Sequence, residues 1–290
     1  MKFSFDFEAT QFSERIISIG CVASNGGQFK TLVKPAKKKD KVNKFITTLT
    51  GITNEMLENA PSADVAFNAL FDFILLNEDS EPSEFYCYGD CDKRFIERTI
   101  IRMEDTRAIM FARGLQQSLK DFSKDVKRFF ETENNISLRK MYMLVAHMED
   151  FEQKHDALED ANMLNEVITH LYEVCTKSDI EKINAMKSVP RLCPEGTTKA
   201  PRKFVEWPKN LWEADTDADE NNWYISAASG PHTKYFDSME TAVMWVIKYC
   251  TSGVSIKKAE HRKKIEEKIT LGLETDKKSY SFEWNINKGE

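Results

Sequence analysis

Asp6 and Glu8 stand two residues apart in the segment FSFDFEAT. In an extended chain, side chains two apart share a face, so both carboxylates project to the same side. Like charges aimed at one point repel and raise each other's pKa, and a cation placed between them relieves the repulsion. Hard carboxylate oxygens favour Mg²⁺ or Mn²⁺. Taken alone, Asp-x-Glu is also the pattern of an acidic, solvated strand face. The neighbours decide between the two readings. Phe3, Phe5 and Phe7 occupy the opposite face, and a strand that buries three phenylalanines belongs inside a sheet.

More acids and one histidine fall at the ends of other elements. Asp90 and Asp92 follow the strand-like run FYCYG, at a strand's C-terminal end, where sites of open α/β sheets gather. Asp90 suits helix capping and a functional role equally well. Asp92 is held in register by the apolar pair Phe95 and Ile96. His155 precedes a long amphipathic helix, and Asp160 lies in its first turns, where the positive end of the helix keeps a carboxylate ionised. Hydrolysis of a phosphodiester needs what such a set can supply. Four carboxylates can hold two metal ions about 3.5–4 Å apart, and a histidine near neutral pKa can take the proton from water.

The elements that must position these residues can be read from periodicity. Residues 2–9 alternate as a strand, and 15–23 and 28–33 form two more, joined through Asn25-Gly26-Gly27 as a hairpin. Helices are expected over 54–58 and 62–77, the second with an apolar stripe of Val65, Phe67, Leu70, Phe71, Ile74 and Leu75. A strand over 85–89 leads to a helix starting at Lys93. Ala108–Ala112 reads as a further strand, 116–130 and 137–150 as helices, and the helix after His155 buries Ala157, Leu158, Ala161, Leu164, Ile168 and Leu171. A three-stranded meander followed by alternating strands and helices implies an α/β fold with a mixed sheet flanked by helices.

With these residues in place, the chain resembles the DEDDh 3′→5′ exonucleases. The first motif is FSFDFEAT, the second YGDCDKRFIE and the third HDALEDANML, with LTGITNEMLENAP matching the segment between the first two. The resemblance covers residues 1–175. It implies a ribonuclease-H-like fold with a mixed five-stranded sheet, two Mg²⁺ or Mn²⁺ ions, and removal of nucleoside 5′-monophosphates from a DNA or RNA 3′ end. Asp6, Glu8 and Asp160 would bind the first ion, with Asp6 shared by the second. Asp92 would support the second, partly through water, and His155 would be the general base. Ala9, Thr10, Gln11 and Phe12 would hold the terminal nucleotide. The family often has Gly-Leu where this chain has Gln11-Phe12, and a glutamate where it has Ser18. A non-catalytic binding platform on the same fold is the rival reading, and loss of a motif acid would have favoured it.

Composition bounds the rest. Of 290 residues, 41% are apolar and 30% charged, an ordinary balance for a globular protein. No apolar run approaches the roughly 20 residues that span a bilayer. The first ten residues lack the basic and apolar regions of a signal peptide. The six cysteines form no C-x-x-C pair, so free thiols in a reducing cytoplasm are expected. A formal net charge of −6 excludes a protein that holds nucleic acid by overall charge alone. The lysine run 34–44 is a solvated loop or a phosphate contact. Residues 178–203 read as a linker between an exonuclease domain (1–177) and a small α+β module (204–290), because four of the eight prolines fall within 187–210. In the module, 222–227 and 233–236 read as strands, 238–249 as a helix, 255–269 as a charged helix and 279–286 as a strand. Its tryptophans fill a small core, stack on bases or dock a protein partner.

Overall fold

The computed structural model describes residues 1–36, 40–186, 223–226, 233–236, 238–249, 255–258 and 269–270. The chain divides into two compact units, Met1–Phe204 and Val205–Glu290.

The first unit is built on a five-stranded sheet. Strand β1 (Lys2–Ala9) is followed by β2 (Ile16–Ala23) and β3 (Gln28–Leu32), an antiparallel meander whose turn carries Gly26 at φ 93°. Helices α1 (Lys44–Thr50), α2 (Asn54–Glu58) and α3 (Ala63–Asn77) come next, capped by Asn43, Thr53 and Ser62. Strand β4 (Glu84–Cys87) returns parallel to β1 and leads into α4 (Cys91–Ile100) and α5 (Thr106–Ser118). The short β5 (Leu119–Asp121) adds parallel to β4. Helices α6 (Ser123–Phe130), α7 (Leu138–Val145) and α8 (Ala157–Val174) follow, then a 3₁₀ turn and α9 (Ile180–Ala185). The strand order β3-β2-β1-β4-β5 places β1 at the centre. This is the expected ribonuclease-H-like mixed sheet.

The two faces of β1 have different fates. Phe3, Phe5 and Phe7 are buried, and Phe3 meets Phe73 of α3 edge-on at 6.4 Å. On the other face Asp6 pairs with Gly20 and Glu8 with Ser18. Directly paired residues of antiparallel strands share a face, and this face receives α8. A Cβ on Gly20 would lie 2.1 Å from the carbonyl oxygen of Ala157. The absent side chain is therefore what lets the first turn of α8 settle against the sheet. Helix α8 buries Ala157, Ala161, Met163, Leu164, Val167, Ile168 and Leu171. Leu164, Val167 and Leu171 join Val126 of α6, Met141 of α7 and Ile183 of α9 in one core.

Several expectations are corrected. Ala108–Ala112 is helical, because Asp105 caps α5 by accepting from the Ala108 N–H at 2.8 Å. The edge strand is Leu119–Asp121, which interrupts the helix expected over 116–130 by pairing with β4. Lys44–Thr50 is a helix that the lysine-rich composition concealed. Within α3, Val65 and Leu75 are exposed, so the buried stripe is Ala66, Phe67, Leu70 and Ile74. The helix expected over 137–150 stops at Val145, and His147 turns to φ 54°. The packed elements of the first unit continue past residue 177 through α9.

The second unit has strands β6 (Trp223–Ser226), β7 (Thr233–Phe236), β8 (Ser255–Lys258) and β9 (Ile269–Thr270) in the order β7-β6-β8-β9, with helix α10 (Met239–Tyr249). The α+β expectation for this module holds. Ser255–Lys258 is not the start of a charged helix, because antiparallel pairing with β6 overrides the helix propensity of its lysines. The strand expected over 279–286 lies outside the described residues.

Candidate active site

The five residues singled out by spacing converge at one end of β1. Strands β1 and β4 pair only from Lys2↔Glu84 to Ser4↔Tyr86. Beyond Ser4 they part, and α4 starts in the gap. Its first turn brings the buried Asp92 towards β1, where the backbone N–H of Phe7 favours the ionised carboxylate. From the other direction α8 brings Asp160. One ligand atom from each of Glu8, His155 and Asp160 lies within 4.8 Å of the other two. His155 Nδ1 is 4.0 Å from Asp160 Oδ2. A register shift between Glu8 and Ala9 ends the regular pairing of β1 with β2, a local irregularity common beside active sites.

The electrostatics record this crowding. Burial, then Glu8, Asp92, Asp160 and Asp156, hold the Asp6 carboxyl well above the usual carboxylate range. Burial, then Asp160, Asp92 and Asp156, do the same to Glu8. Burial pushes Asp92 up to about 7 and Asp160 up to about 6. Asp160 Oδ2 accepts from Gln153 Nε2 at 2.9 Å, whereas its Oδ1 is buried without a hydrogen-bond partner. Oxygen donors that repel one another, one of them orphaned, suit a hard divalent cation. Burial lowers the His155 imidazole below its usual pKa, which keeps it neutral near pH 7. His155 has φ 51°, a left-handed conformation uncommon for non-glycine residues, among which histidine is one of the more tolerant.

The residues expected to meet a substrate divide. Ala9 and Thr10 are buried. The Thr10 hydroxyl is engaged within the turn, at 2.7 Å from Ser13 Oγ and accepting from the Arg15 N–H at 3.1 Å. Gln11 Oε1 accepts from Asn43. Phe12 is 59% exposed and stands outside the core. Asp90 stands at the N-cap of α4, exposed, with no side-chain capping bond.

Three contributors escaped the sequence reading. Gly20 admits α8, Gln153 donates to Asp160, and Asp156 caps α8 by accepting from the N–H groups of Leu158 and Glu159 while pairing with Lys30. Asp156 carried a legible signal, an aspartate immediately before a helix. Gln153 carried none. In the lysine run, Asp40 is buried against Arg15, Nε to Oδ2 3.2 Å, and Lys34 donates to the Glu58 carbonyl at 2.7 Å.

Comparison with known proteins agrees with this architecture. The model of the RNase T-type exonuclease family matches residues 3–168. The chain therefore belongs to this exonuclease family, of DEDDh type. The family generally uses divalent metal ions. Among solved structures, the nuclease domain of 3′hExo, a DEDDh family member bound to rAMP, is similar with a TM-score of 0.51 at 17% identity, over 61% of this chain and 93% of that one. A 3′-exonuclease solved for its recognition of the histone mRNA stem-loop is similar with a TM-score of 0.50 at 17% identity, over 61% of this chain and 64% of that one. The likeness thus spans less than two-thirds of that second protein. No curated protein sequence matches the chain. No helix among the described residues is long and apolar enough to cross a membrane.

Proposed function

We propose that the chain is a 3′→5′ exonuclease that hydrolyses the terminal phosphodiester of DNA or RNA and releases nucleoside 5′-monophosphates. The observation that carries this reading is the convergence of four carboxylates and one histidine from β1, α4 and α8. Asp6, Glu8 and Asp160 would hold one Mg²⁺ or Mn²⁺ ion, and Asp6 with Asp92 a second. Bound divalent cations supply polarisation of the phosphate and acidification of the attacking water.

The protein's own groups do the rest. His155 takes the water's proton on an imidazole nitrogen, and its lowered pKa keeps that nitrogen free at neutral pH. The Asp160 carboxylate, 4.0 Å from Nδ1, stabilises the imidazolium that forms. The oxygen–phosphorus bond to the penultimate nucleotide breaks, leaving a 3′-hydroxyl on the shortened strand. Residues 9–12 border the site, and exposed Phe12 is suited to stack on the terminal base, a contact worth about 1–3 kcal/mol. All five motif positions are filled, which favours turnover over a non-catalytic platform. Free Cys21, Cys87, Cys91 and Cys175 suit a reducing cytoplasm. The second unit would serve affinity for long nucleic acid or for a protein partner.

The test is a 5′-labelled single strand incubated with Mg²⁺ or Mn²⁺. Stepwise shortening from the 3′ end, stopped by EDTA, is expected. Cuts within a circular strand, or full activity in EDTA, would overturn the assignment.

A further inference from the structure

The segment between α7 and α8 carries His155 but belongs to neither helix. It is fastened at its midpoint. Arg139 of α7, itself buried, donates from Nη2 to Asp150 Oδ1 at 2.8 Å and from Nε to the Phe151 carbonyl. The same Asp150 oxygen accepts from the Phe151 N–H at 2.9 Å, and the Phe151 ring meets Tyr142 of α7 edge-on at 5.2 Å. Two residues beyond this anchor, Gln153 points its amide at Asp160. Two residues further on, His155 adopts its left-handed conformation.

We infer that Gln153 is a positioning residue that fixes the rotation of the Asp160 carboxylate and ties it to the segment carrying His155. The amide takes one lone pair of Oδ2 and leaves the buried Oδ1 with no hydrogen-bond partner. A carboxylate fixed in this way loses less rotational freedom when it binds an ion, and groups behind metal ligands typically change metal affinity or activity by about 10–100-fold. The Arg139 anchor sets where the amide stands, so the metal ligand and the histidine are held in one register. This inference rests on the proposed metal-binding role of Asp160.

The experiment titrates Mn²⁺ alone into the full-length protein by calorimetry, for wild type, Gln153→Met, Gln153→Ala and Asp160→Asn. Methionine keeps the length of glutamine without the donor, so it serves even if the alanine variant fails to fold. The inference expects Gln153→Met to weaken Mn²⁺ binding about tenfold or more, while its metal-free melting temperature stays near that of the wild type. Wild-type or tighter affinity in Gln153→Met, with Asp160→Asn impaired, would overturn the inference and leave the proposed function standing. Unchanged affinity in Asp160→Asn would overturn the metal-binding reading itself.

Discussion

At the scale of single residues, the site is a collection of groups that are poor neighbours without a cation. Two predictions follow from their separate roles. His155 is the proton acceptor and not a main ligand in this account, so its loss should slow turnover by about 10²–10⁴-fold while Mn²⁺ affinity is largely kept. His155→Asn is the appropriate variant, because asparagine tolerates the left-handed backbone at this position better than alanine does. Calorimetry and rate measurements on one preparation check both halves, and near-normal turnover at pH 7 would reject the role. The second prediction concerns pH. Asp92 has a folded pKa of about 7, above the ordinary value near 3.9. Its protonated form is therefore favoured in the folded state, and its contribution to stability is full below about pH 4 and lost as pH rises through 7. In EDTA, the melting temperature of Asp92→Asn should gain on that of the wild type across this window. A difference that does not change with pH would contradict the burial argument.

At the scale of elements, the site depends on how closely α8 approaches the sheet. The short reach from Asp160 to β1 exists because Gly20 has no side chain beneath Ala157. Gly20→Ala should force α8 outward and destabilise the protein by about 1–3 kcal/mol, as overpacked cores do. In a unit of this size, that lowers the melting temperature by a few degrees per kcal/mol. It should also raise the Mn²⁺ concentration needed for half-maximal rate, since Asp160 moves with the helix. A variant unchanged in both melting and metal requirement would show that the approach is not restrictive. This element level was only partly legible in the sequence. Strands β1 to β4, α3, α4 and α8 were readable because alternation, caps and apolar stripes agreed there. Strand β5 has three residues, too few to show a period, and its pairing with β4 is a long-range event that local propensity does not record. Helix α1 was hidden within a lysine- and threonine-rich segment. The five site residues were legible by type and spacing. The support from Gly20 and Gln153 was not, because it arises only from the close approach of chain segments distant in sequence or from a loop with no periodic signal.

At the scale of the molecule, packing continues past residue 177. Helix α9 packs on α7, with Ile183 buried and its carbonyl accepting from Lys140 Nζ at 3.0 Å. A chain ending at Met186 should fold and shorten small single strands. One ending at residue 177 removes Ile180 and Ile183 and should lose about 2 kcal/mol or more. Thermal melts of the two truncated chains compare them directly, and equal stability would show that α9 is dispensable.

The central claim, that the carboxylates at the end of β1 perform metal-dependent removal of 3′-terminal nucleotides, is tested most directly by Asp6→Asn. The measurement follows a 5′-labelled single strand in Mn²⁺ for the variant and the wild type. Burial and four neighbouring acids destabilise the charge of Asp6, so the neutral variant should fold at least as well in EDTA. The account predicts a ladder of products one nucleotide apart for the wild type and none for Asp6→Asn. A wild-type ladder from Asp6→Asn would place the chemistry elsewhere in the molecule.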